Sequence, residues 1–547
     1  MRTPKNSQSH AASLLSCGDT DVNISRPPSY TRRHFLIVAG GAALATGALS
    51  NIAGAQAGQS RSFSVYKFER GYVDPPIARA KRRTRIIVHI TGLSGSVQAE
   101  LSLPSGVKFL KPEISSFKIP ISDSGGIRLM WEVMASRAIS GDARLILRRN
   151  DAVVLEAKFP VVWTYPVLVY PMDYVPVPHP ADTGRYLIGA MQCPLWGTLP
   201  WKPITAYPDR EPVLGWYDYG TLATVDWEIM YALDHGISFF WTCWYRSKNN
   251  VGKPVEKPPL GDWLQGLFKC RYGNQMKFAI IWILTPPNTF APGISSAADL
   301  IDNVLPFWID NYFARPNYMR FDGKPLLMIM GGQHLIAQIG SVEKTARAIA
   351  KMREICYKKG VGDLILVGEN HNNPLDREEN FKKIGLDYVT SYHWPCWSIA
   401  FKNPRPIIPA QELCWKDQTK YAAVPTILTC SMGWDARPWG DKDFRWRLDP
   451  ANFKTLLRKA KSFVDSQLTG SLESRMILLD NWDEFGEGHY IFPTRQYGFG
   501  YLDAVRDVFG SGGPPLKRIN LTPQDVGLGP YDGLFRKQNK ERPLIEL

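Results

Sequence analysis

Two rhythms of apolar and polar positions divide the chain. From about Ser60 to Pro166 the apolar stretches are short and several alternate: Arg85–Ile90, Gln98–Leu103, Ile127–Val133, Ala143–Arg148 and Val153–Val162. Gly, Pro, Ser and turns such as Arg149-Asn-Asp151 separate them. A period of two sets alternate side chains on opposite faces of a strand, and many such strands with little helical periodicity predict an antiparallel β-sandwich. We place it at residues 58–166, with residues 167–181 as a Pro-rich, extended connector.

After Asp182 the rhythm becomes strand, loop, helix, repeated. Apolar runs at Tyr186–Met191, Ile237–Cys243, Lys277–Leu284, Pro325–Met330, Leu364–Val367, Asp387–Ser391, Pro425–Cys430 and Met476–Leu479 read as strands. Helical spacing fills Val225–Leu233, Trp263–Cys270, Ala297–Tyr312, Val342–Tyr357, Glu378–Ile384 and Pro450–Gln467, and Phe499–Phe509 closes the set. Pro404–Tyr421 reads as irregular. Eight alternating units predict an α/β fold, a (β/α)8 TIM barrel over residues 182–512, with 513–547 as an extended tail. An open, doubly wound sheet is the competitor, but no glycine-rich phosphate fingerprint follows any strand.

Thr31-Arg-Arg-His-Phe-Leu36 precedes an apolar, Ala/Gly-rich run, Ile37–Ile52, and Ala55-Gln-Ala57 offers a small-residue cleavage pattern. This resembles the signal of the twin-arginine pathway, so residues 1–57 are expected to engage that export machinery and be removed. The expected location is then periplasmic or secreted. No later run is long and apolar enough for a permanent membrane span. The formal charge of +14 (Lys+Arg 65, Asp+Glu 51) favours acidic glycans or envelope polymers. It forms no nucleic-acid stripe; Arg79–Arg85, the one dense cluster, reads as a solvated strand edge. Beyond the leader, Cys193, Cys243, Cys270, Cys356, Cys396, Cys414 and Cys430 make an odd set without a CxxC. Neither a metal site nor a cofactor is expected.

The chemistry concentrates in Met476–Asp503. An apolar strand runs into Asp480, Asp483, Glu484 and Glu487, laced with Trp482 and Phe485 and loosened by Gly486 and Gly488. Four crowded carboxylates repel and raise at least one pKa, which points to a site. Three residues apart, Glu484 and Glu487 would share a face at roughly 5–6 Å if they lay on one helical turn. Other strand ends should meet them at the barrel mouth: Trp241, Trp244 and Tyr245; Glu369, Asn370 and His371; Tyr392 and His393; Trp434, Asp435 and Arg437; Trp482 and Asp483. Aromatic faces stack on sugar C–H groups while Asn, Asp, His and Arg bond hydroxyls, so the mouth reads as a glycan site. Asp435 and Arg437 either bind sugar or rigidify their turn.

Asn481-Trp-Asp-Glu-Phe-Gly-Glu-Gly-His-Tyr-Ile-Phe-Pro-Thr494 followed by Tyr497-Gly-Phe-Gly-Tyr-Leu502 resembles the last strand and loop of the glycoside hydrolase family 99-like domain. So do Pro212-Val-Leu-Gly-Trp-Tyr-Asp218, Phe239-Phe-Trp-Thr-Cys-Trp-Tyr245 and Gly433-Trp-Asp-Ala-Arg-Pro438 at their own places. Family 99 carries Glu-Trp-His-Glu-Gly where this chain has Glu484-Phe-Gly-Glu-Gly488; both acids match and the middle pair does not. The resemblance implies a retaining glycoside hydrolase of poly- or oligosaccharides, with Glu487 as general acid/base. Glu484 would assist the substrate's 2-hydroxyl or attack directly, and Glu369 is a third candidate partner. The alternatives are a non-catalytic glycan-binding or envelope-assembly protein, and a glycosyltransferase-like enzyme. An exported protein lacks a ready supply of nucleotide sugars, which favours hydrolysis.

Overall fold

The computed structural model describes residues 67–92, 97–111, 116–119, 126–167, 171–256, 262–287, 289, 291–369, 375–393, 407–440, 445–468, 470–532 and 544–546. The proposed leader lies outside these residues.

Eight parallel strands form the central sheet: β1 (Leu187–Gln192), β2 (Phe239–Trp244), β3 (Lys277–Ile283), β4 (Lys324–Met330), β5 (Ile365–Glu369), β6 (Tyr388–Thr390), β7 (Leu428–Cys430) and β8 (Met476–Leu479). Their order is β6-β5-β4-β3-β2-β1-β8-β7. Val389 in β6 then accepts from the Ile427 N–H at 2.8 Å and donates to the Pro425 carbonyl at 2.9 Å, which closes the ring beside β7. Strands covered on both faces must be apolar throughout, and β8 reads Met-Ile-Leu-Leu with every residue buried.

A helix or helical run follows each strand: α1 (Leu222–Asp234), α2 (Asp262–Leu267), α3 (residues 297–313), α4 (Val342–Lys358), α5 (Leu375–Lys383), α6 (Ile407–Tyr421), α7 (Pro450–Asp465) and α8 (Gly500–Phe509). Asp449 caps α7 by accepting from the Asn452 amide, with Pro450 at the first helical position. α6 replaces the irregular segment expected there. Its buried face contains Gln411 and Gln418, which break the apolar period; Gln411 is satisfied by exchanging two 2.9 Å bonds with the Ser431 backbone.

Before the barrel, two antiparallel-rich sheets face one another. One holds Lys67–Asp74, Thr84–Thr91, Ile127–Ala135 and Val107–Phe109; the other holds Ala78–Arg79, Ala152–Thr164, Ile139–Arg149, Val97–Ser102 and Ser116–Ile119. Their shared core includes Ile86, Val88, Leu129, Trp131, Leu145, Leu147, Phe159 and Trp163. Leu544–Glu546 adds a parallel strand beside Ile127–Ala135, and residues 513–532 contain a short helix, Leu516–Ile519, so the segment expected to be an extended tail folds back.

The basic cluster at Arg79–Arg85 is not wholly a solvated edge. Arg79 is buried and chelates Asp525 through Nε and Nη2, with Arg82 on the other carboxylate oxygen at 2.7 Å. Arg79 and Asp525 satisfy each other's charge, which is what permits their burial. No helix among the described residues is long and apolar enough to cross a membrane.

Candidate active site

β8 delivers its chain to a tight hairpin. Asp483–Glu484 pairs antiparallel with His489–Tyr490, so Glu484 stands opposite His489 and Glu487 lies in the turn between them. The expected helical turn is not formed. Glu484 Oε1 accepts from the Gly486 amide at 3.1 Å and the Glu487 amide at 3.3 Å, so the turn closes on a carboxylate. Gly488 takes a φ of +74°, and a Cβ there would sit 2.8 Å from the Asp435 backbone. A Cβ on Gly486 would lie about 2.0 Å from the Trp439 indole. That ring fills the space beside the turn, which explains why glycine stands at this position.

The turn is clamped from outside. Arg210, which is buried, donates to the Phe485 carbonyl at 2.6 Å and to Asp435 at 2.8 Å. Asp435 also holds Arg437 through both oxygens, at 2.8 and 2.6 Å, and its amide donates to the Glu487 carbonyl at 2.6 Å. The Asp435 carboxylate is thus committed to two guanidinium groups. Of the two roles open in the sequence, the geometry supports the structural one. Asp435→Asn strands the buried Arg210 charge and is expected to cost about 3 kcal/mol, within the range for breaking a buried pair. Denaturant unfolding checks this; an unchanged midpoint with a raised KM would restore the sugar-binding role.

Glu487 faces inward. The Tyr392 hydroxyl donates to its Oε2 at 2.7 Å, and His489 Nε2 stands 2.9 Å from the same oxygen. Glu369, at the end of β5, accepts from the Tyr392 amide at 3.4 Å and so helps place that phenol. Behind His489 lie Asp480 and His393, and the Trp434 ring packs against both imidazoles at 5.1 and 4.9 Å. Burial raises the Tyr245 phenol well above its ordinary value, aided by Cys193, Cys243, Glu484 and Glu487.

The two glutamates have different surroundings. Glu484 is pushed up to about 7 by burial and then by the charge of Glu487, against bonding from the Cys193 thiol and the turn amides. Asp483, fully buried, accepts from the Cys193 amide at 2.9 Å and is raised well above the carboxylate range by burial and by Glu228. Glu228, on α1, is pushed up to about 8 by burial, although Trp263 donates to it. A carboxyl whose folded pKa is raised favours the fold while protonated; that contribution is complete below the unfolded pKa and is lost as pH rises through about 8. The melting temperature should therefore decline between pH 5 and 9, and Glu228→Gln should flatten the decline by at least a few °C. An equal slope in the variant would contradict the assignment.

The remaining candidates separate by strand face. Trp241 is fully buried and donates to the Ile280 carbonyl at 2.9 Å, Trp244 donates to Tyr312 and packs on Trp308, and Trp482 packs on Phe240 and Phe492. Trp241 and Trp244 thus spend their indole N–H groups on the barrel wall, while Trp482 packs its ring there with Nε1 unpaired. Asn370 and His371 lie outside the described residues. The structure adds Arg210, Glu228, Trp439 and His489, none of which the sequence reading singled out. Of these only His489 carried a signal, its place within the motif.

Comparison with known proteins bears on this same segment. The chain is 22% identical over 315 residues to the uncharacterized protein WxcX of Xanthomonas campestris pv. campestris, covering 54% of this chain and 42% of that protein. It thus spans less than half the length of that relative. Among solved structures, the GH99 endo-alpha-mannosidase from Bacteroides thetaiotaomicron aligns with 14% identity and a TM-score of 0.41, covering 60% of this chain and 98% of that one. A Ruminococcus gnavus beta-glucuronidase aligns with 11% identity and a TM-score of 0.31, over 81% and 68% of the two chains. The barrel assignment rests on the strand order itself. The family model described as glycosyltransferase WbsX matches residues 206–505, more than half of the chain, from the segment before α1 into α8 and across the whole β8 hairpin: the chain belongs to that family.

Proposed function

We propose that this protein is an exported glycoside hydrolase that cleaves a poly- or oligosaccharide with net retention, using Glu484 and Glu487. The observation that carries the reading is the pairing of two buried carboxylates in one turn at the barrel mouth, each held by its own set of donors. Retaining hydrolysis needs one carboxyl to protonate the leaving oxygen and a second, ionised one on the anomeric carbon's side. Glu487, which accepts from the Tyr392 hydroxyl and faces His489 Nε2, is suited to the role at the anomeric carbon. Glu484, more deeply buried, is suited to the proton-bearing one. This reverses the split implied by the family resemblance, because burial and the charge of Glu487 favour the protonated form of Glu484.

In the first step Glu484 gives its proton to the glycosidic oxygen as the C–O bond breaks. Glu487 either bonds to the anomeric carbon or takes the proton of the 2-hydroxyl as that oxygen closes on it. In the second step Glu484 takes a proton from water as the water oxygen bonds to the anomeric carbon; the ester bond to Glu487 breaks, or the anhydro ring opens and its 2-oxygen takes back the proton held by Glu487. The leader read at residues 1–57 supports export through the twin-arginine machinery. The description of the family favours a second outcome, transfer to a sugar hydroxyl in place of water. Product analysis on a panel of plant and bacterial polysaccharides tests the reading: new reducing ends are expected, and an absence of products across the panel, with intact binding, would point to a glycan-binding protein.

A further inference from the structure

We propose that His393, Asp480 and His489 form a binding site for one divalent transition-metal ion, with His393 Nδ1, Asp480 Oδ2 and His489 Nδ1 as ligands. The three residues come from separate places, the loop after β6, the end of β8 and the return strand of the hairpin. All are buried, and their donor atoms lie within 4.8 Å of one another. Asp480 Oδ2 stands 3.2 Å from His393 Nδ1 and 3.4 Å from His489 Nδ1. Donors bonded at about 2.0–2.1 Å around a tetrahedral ion are separated by roughly 3.4 Å, which the two distances to Asp480 Oδ2 match.

Hydrogen bonding alone leaves part of the arrangement unexplained. His489 has no exposed surface, and its Nδ1 stands 3.4 Å from Asp480 Oδ2, within ion-pair reach but without good hydrogen-bond geometry. Its Nε2 meanwhile stands 2.9 Å from Glu487 Oε2, the way an outer carboxylate fixes the ring of a metal-bound imidazole. Two imidazoles and one carboxylate suit zinc, iron, cobalt or nickel; calcium and magnesium prefer sets of oxygens. Three protein ligands leave a position open to water or a sugar hydroxyl. No motif announces the site, since the ligands lack metal-ligand spacing along the chain.

The site stands whether or not the protein hydrolyses glycans, so it is tested by binding alone. The full chain, stripped with a chelator, is titrated calorimetrically with zinc chloride, with magnesium chloride as the control. One equivalent of zinc and no magnesium are expected to bind. His393→Gln and Asp480→Asn should each weaken zinc binding by more than the roughly 10–100-fold that loss of an outer partner costs. Should the variants not fold, cobalt(II) added to the unaltered protein decides the matter: intense visible bands of a four- or five-coordinate site are expected, and the weak spectrum of the hydrated ion overturns the proposal. So does a folded protein that takes up no zinc, or zinc binding undiminished in both variants.

Discussion

Glu484→Gln and Glu487→Gln are each expected to cut turnover by ~10²–10⁴-fold while leaving glycan binding intact, the usual contribution of a positioned acid or base. The two should part company on activated aryl glycosides. A leaving group that departs without a proton does not need the acid, so Glu484→Gln should recover much of its rate there and Glu487→Gln should not. Steady-state rates on a natural and an activated substrate make the comparison. If Glu487→Gln is the variant rescued, the proton belongs on Glu487, as the resemblance to family 99 implied. If neither variant loses activity, the site lies elsewhere.

Gly486→Ala should be nearly as damaging although it removes no functional group. The added methyl would meet the Trp439 ring at about 2.0 Å, and the clamp from Arg210 and Asp435 leaves the turn little room to yield. Overpacking of this kind costs roughly 1–3 kcal/mol, and a displacement of about 1 Å in Glu484 or Glu487 is worth ~10²-fold in rate. The double variant Gly486→Ala with Trp439→Ala opens the space and should regain most of the lost activity. If Trp439→Ala leaves the loss unchanged, the steric account of this glycine is wrong.

The barrel was legible because parallel strands covered on both faces must be continuously apolar, and all eight strands sit within a few residues of their expected positions. Helix α6 was not, since Gln411 occupies a core position on the strength of two backbone bonds that no periodicity reports. At the site, the crowding of Asp480, Asp483, Glu484 and Glu487 was visible in one stretch of sequence. Their geometry was not: the spacing of Glu484 and Glu487 fits a helical turn equally well, and the hairpin is chosen by Glu484 bonding its own turn amides and by Gly488 against Asp435. The packing of Trp241, Trp244 and Trp482 was not legible because a place at a strand's end does not say which face of the wall a ring occupies. Asp435 was ambiguous until Arg210, distant in the chain, was seen to claim its second guanidinium contact.

The central claim, that Glu484 and Glu487 transfer a glycosyl group to water, is tested most directly by running the reaction in 18O-labelled water and weighing the products. The account predicts one 18O at each newly formed reducing end, retained anomeric configuration at first release, and no release by the double variant Glu484→Gln/Glu487→Gln. Products without the label, carrying an added sugar residue instead, would make the protein a transferase. Labelled products formed at an undiminished rate by the double variant would contradict the site itself.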